Sequence, residues 1–171
     1  MPSSNDFNFH FPDAIMSKIW VLVGSLSPFI STLQFTTSPP SLSFVSQVEA
    51  GRSPSWLANL DKFPTTIYAT EEIGTGFINS LELDLNTGGL TRLANTATKG
   101  GAPTHLGFIT DFGIDSVTLG AANIVNCSAF FVNLNTTTGQ FTSDTDLVRF
   151  EGSGPLPNQL TPHAHQVRIV F

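Results

Sequence analysis

Charge is scarce in this chain. Only 12% of its 171 residues are Asp, Glu, Lys or Arg, and 7 Lys and Arg against 13 Asp and Glu give a formal net charge of −6. The cations are scattered singly, so no basic stripe exists to bind nucleic acid. The global field repels a small anion, which would need local Arg, His or backbone N–H groups to be held. A single cysteine, Cys127, excludes a disulfide within the chain and reads as a small buried apolar side chain. Long apolar runs are missing as well. The best candidate, MSKIWVLVGSLSPF from Met16 to Phe29, is too short to span a bilayer, so no membrane association is expected. It also begins late for a secretory signal and lacks a clear small-residue cleavage site. A cytoplasmic location is therefore expected, with secretion as the alternative. The sequons at Asn126 and Asn135 matter only in the second case.

What the chain does have is apolar material cut into short pieces. Apolar residues make up 40%, with 15 Phe, and 14 Gly and 11 Pro punctuate them. The runs between are rich in Val, Ile, Thr and Phe, which favours strands separated by turns over helices. These runs repeat. FISTLQF (29–35) returns as FINSLEL (77–83), each followed by a polar turn and a second strand. INSLELDLNTGGLTRL (78–93) returns as AFFVNLNTTTGQFTSD (129–144), with Gly where a hairpin needs positive φ. KIWVLVG (18–24) corresponds to TTIYATE (65–71) and more loosely to VTLGAAN (117–123). Ahead of these strands, AGRSPSWLANL (50–60) matches KGGAPTHLGFI (99–109), and the tail from Gly152 begins a further copy with Pro162-His163.

A repeat of roughly 50 residues with four strands indicates β-propeller blades. The expected architecture is all-β: an incomplete propeller of about three four-stranded blades plus the first strand of a fourth. An N-terminal extension, 1–17, precedes blade repeats near 18–50, 51–98 and 99–150, and the next blade starts in 151–171. Propellers close with about four to eight blades, so three leave two open apolar faces. Those faces imply either self-association or an amino-terminal part of a longer protein, and the second reading is preferred.

SPSWLA (53–58), IYATEE (67–72), GGAPTHL (100–106), GSGP (152–155) and NQLTPHAHQV (158–167) together resemble the seven-bladed propeller lactonases. That family is also called cycloisomerase 2. It includes 6-phosphogluconolactonases and carboxy-cis,cis-muconate cyclases. The motifs occur in the family's order from about residue 18 onward, covering less than half of a full member. The resemblance implies hydrolysis of a sugar lactone such as 6-phosphogluconolactone. The alternatives are muconate cycloisomerisation or a non-catalytic remnant. It implies a small lactone or carboxylate as partner and no cofactor.

His163 and His165 are the catalytic candidates. On an extended strand, residues two apart share a face, and an imidazole titrates near neutrality, which suits it to activating water. His-x-His supplies two metal ligands where a site needs three or four, so no metal is assigned. The structural alternative is one imidazole bonded to a neighbouring blade and the other near solvent. Glu72 matches the acid of the family's Tyr-Ala-Thr-Asn-Glu motif, with Glu71 in place of the Asn. Adjacent acids on a strand point to opposite faces, so Glu72 is taken as the substrate-orienting acceptor, with a residue that only caps the blade as the alternative. His105 follows a Pro-Thr pair equivalent to Pro162-His163, so it is either a substrate contact or a packed inner-strand histidine. Gln159 stands in the family's Arg-Gln position, where Asn158 replaces the Arg and removes a cation. Arg52, beside the Ser-Pro-Ser-Trp motif, either meets an anionic substrate or sits solvated in a loop. Trp56 reads as packing between blades.

Overall fold

The computed structural model describes residues 18–110 and 115–168. The expected extension, 1–17, lies outside the described residues, as do part of the stretch after Thr110 and the last three residues. The described residues form eleven strands and no helix. They fall into three antiparallel sheets joined in chain order. The first contains β1 (Ile19–Val23), β2 (Phe29–Thr37) and β3 (Pro40–Glu49). The second contains β4 (Leu57–Leu60), β5 (Phe63–Glu71), β6 (Phe77–Leu83) and β7 (Leu90–Ala97). The third contains β8 (Gly101–Thr110), β9 (Val117–Val125), β10 (Ser128–Leu134) and β11 (Phe141–Arg149).

Strand pairing follows the repeat in the second and third sheets, where Tyr68 lies opposite Ser80 and Gly120 opposite Phe131. In the first sheet Leu22 lies opposite Thr32, one residue out of the sequence correspondence. KIWVLVG supplies β1, which pairs with β2 as β5 pairs with β6. The first sheet accordingly has three strands among the described residues, one fewer than expected.

Middle strands are buried on both faces, which explains their near-continuous apolar character. In β5 the alternation of side chains feeds two different cores. Ile67 and Ala69 pack with Ile30 and Leu81 toward the first sheet, while Tyr68 packs with Leu119, Phe130 and Val132 toward the third. Each such fully buried aliphatic or aromatic side chain contributes roughly 1.5–3 kcal/mol. Outer strands β7 and β11 are mostly exposed and polar, as the rim of a propeller requires.

Residues 151–168 form no strand. The segment reaches β8 instead, where the Thr104 hydroxyl donates to the His165 carbonyl at 3.1 Å and Val167 lies over the paired Gly107 and Gly120. This is where an inner strand of a following blade would lie. An innermost strand pairs only with the second strand of its own blade, and none follows among the described residues.

Candidate active site

Two copies of one short motif build the floor of a cleft. Pro54-Ser55-Trp56 leads into β4, and Pro103-Thr104-His105 lies in β8, so the repeat sets an indole and an imidazole on adjacent innermost strands. Their ring centroids are 4.3 Å apart with planes tilted by 40°. Trp56 is tied to β5 in both directions: its amide donates to Thr70 Oγ1 at 3.0 Å and its carbonyl accepts from the Thr70 amide at 3.0 Å. One residue beyond β5, the Glu72 amide donates to the Ser53 carbonyl at 3.0 Å, which brings its side chain to the same place. His165 arrives from the tail. Together Ser55, Trp56, Glu72, Thr104, His105, His165 and Gln166 line a cleft of about 310 Å³.

The electrostatics of the cleft favour an uncharged imidazole. Burial holds the His105 pKa below its ordinary value, and the nearby charge of His165 lowers it further. His105 Nδ1 is buried without a hydrogen-bond partner. A neutral ring is the form that accepts a proton from water. Glu72 supplies the one carboxylate of the lining, and no Lys or Arg lines the cleft among the described residues. Glu71 faces the other way, its Oε2 accepting from Asn79 Nδ2 at 3.4 Å beside Gly51.

Three of the six sequence candidates therefore meet: Glu72, His105 and His165. The other three lie apart. His163 lines a separate hollow of about 490 Å³ with Cys127, Phe150 and Glu151. Both histidines of the pair are exposed with Ala164 half-buried between them, yet without a sheet ladder they open onto different hollows. Gln159 closes a local turn, its Oε1 accepting from the Leu156 amide at 3.3 Å and its carbonyl from the Gly154 amide at 2.9 Å. Arg52 is exposed and does not line the cleft. Cys127 is buried, as its apolar reading requires. Among the described residues no group of three or more His, Cys, Asp or Glu converges on a metal-sized space. Trp56, read as packing, lines the cleft. The signal that finds it is its repeat equivalence to His105.

The sequence model of the family described as "Lactonase, 7-bladed beta-propeller" matches residues 20–170. Among solved structures, the periplasmic gluconolactonase of Pseudomonas aeruginosa superposes with a TM-score of 0.76 at 20% identity, over 89% of this chain and 44% of that one. A candidate 6-phosphogluconolactonase of Bacteroides fragilis gives 0.72 at 24% identity, over 90% and 42%. Sqt1 of Saccharomyces cerevisiae gives 0.53 at 16% identity, over 71% and 32%. At these identities the likeness shows the fold. The chain spans less than half the length of each of these proteins. Among curated proteins there is no significant match.

Proposed function

This chain belongs to the seven-bladed β-propeller lactonase family, and from that premise we propose that it hydrolyses a sugar lactone, of the class that contains gluconolactone and 6-phosphogluconolactone. The observation that supports this reading is the convergence of Glu72, His105 and His165 in one cleft from three separate stretches of chain. His105, kept neutral by burial, accepts a proton as water attacks the lactone carbonyl carbon. The bond from that carbon to the ring oxygen then breaks. The proton passes to the ring oxygen, with His165 beside it as the second imidazole that can carry it. The product is the open hydroxy acid. Glu72 accepts hydrogen bonds from the sugar hydroxyls and orients the ring.

Proton release during lactone opening, followed in weak buffer, tests the assignment. His105→Ala and His165→Ala should each lower kcat/KM by about 10²–10⁴-fold, whereas His163→Ala, in its separate hollow, should leave it largely unchanged. Unaltered rates in both cleft variants would refute the proposal.

A further inference from the structure

The cleft has an aromatic floor and an acidic wall, and that combination selects among lactones. Trp56 remains 39% exposed where it lines the cleft, although His105 covers part of the indole. A large aromatic surface left open in a site is a binding surface for a flat apolar face. A sugar lactone has such a face in its ring C–H groups, and its hydroxyls match Glu72, Ser55 and Thr104 around the rim. Charge argues in the same direction. Glu72 is the one carboxylate of the lining, no Lys or Arg faces it there among the described residues, and the net charge of the chain is −6. A phosphate brought into this cleft would meet repulsion from Glu72 with no Lys or Arg to repay its desolvation.

We propose that Trp56 is the stacking platform for the ring of an uncharged sugar lactone, and that Glu72 selects that ring over its phosphorylated counterpart. The inference rests on the lactonase reading for the kind of ligand, but its test is separate from turnover. The probes are gluconolactam, an uncharged and hydrolysis-resistant analogue of the lactone, and gluconolactam 6-phosphate, each titrated calorimetrically into the full chain. The uncharged lactam should bind about tenfold more tightly than its phosphate. Trp56→Ala should weaken lactam binding by about tenfold, and Trp56→Phe should retain most of it, with far-UV circular dichroism confirming the fold of both. Glu72→Gln should narrow the gap between the two probes.

Equal or tighter binding of the phosphate would overturn the inference, as would unchanged lactam affinity in Trp56→Ala. Lactam binding that depends on Trp56 in a chain that opens no lactone would support the inference while removing the lactonase reading. Lactone turnover that ignores Trp56→Ala would do the reverse.

Discussion

His105 shows how far a side chain's role depends on what surrounds it. Its pKa is pushed down by burial and then by the charge of His165, while Glu72 is the one carboxylate that lines the same cleft. The acid limb of kcat/KM for lactone opening should therefore lie below the ordinary imidazole value near 6.5. His165→Ala removes the second cause and should move that limb back upward, and a limb that stays put would contradict the assignment. Stability follows the same sign. A histidine that resists protonation in the fold contributes fully above its unfolded pKa and loses that contribution as pH falls from there through its lower folded pKa. Urea midpoints measured between about pH 7.5 and 5.5 should thus fall more in the native chain than in His105→Gln. The sequence made the imidazoles visible but not their grouping. Two residues apart predicts a shared face only where a ladder fixes the strand, and 151–168 has none. That is why His165 joined Glu72 and His105 while His163 did not.

Among the elements, the two glycine hairpins carry the most structural consequence. Asp84 and Asn135 open their turns alike, accepting backbone N–H bonds on their side-chain oxygens, and Gly88 and Gly139 close them at φ of 73° and 70°. Each turn is held by an aromatic of the preceding sheet. Trp20 Nε1 donates to the Leu85 carbonyl at 3.0 Å, and the Tyr68 hydroxyl donates to the Gly139 carbonyl at 2.5 Å. A Cβ on Gly139 would come within 2.9 Å of Tyr68 Oη and 3.0 Å of the Phe63 ring. Gly139→Ala should cost about 1–3 kcal/mol in urea denaturation, from backbone strain and this contact together. Gly89→Ala, free of the positive φ, is the control and should cost much less. Tyr68→Phe should cost about 1–2 kcal/mol, because the Gly139 carbonyl loses a buried donor. The hairpins were legible from Leu-Asn-Thr and Gly alone. The joints were not, since each pairs residues of different repeats and leaves no local pattern.

Across the molecule, three sheets meet at two separate cores, and the second sheet alone contributes to both. Stability in such an array is a sum of blade terms and nearest-neighbour terms. Loss of one joint should therefore be felt on both sides of it and nowhere else. Hydrogen exchange on Tyr68→Phe should show faster opening in β5, β6, β9 and β10, with β2 unaffected; uniform loss of protection would mean that the sheets unfold as one unit. The propeller class was readable because a repeat multiplies a weak signal. The count of strands in the first sheet was not, because the repeat that matches KIWVLVG to the second strand TTIYATE says nothing of a strand ahead of it. The joints also bear on how such a chain changes over generations. Each repeat carries a donor for the turn ahead and a turn for the donor behind, as Tyr68 and the Asp84 hairpin do within the second sheet. A unit copied in tandem arrives with both halves of its connections already matched, so blade number can change by duplication or loss without a new interface having to arise.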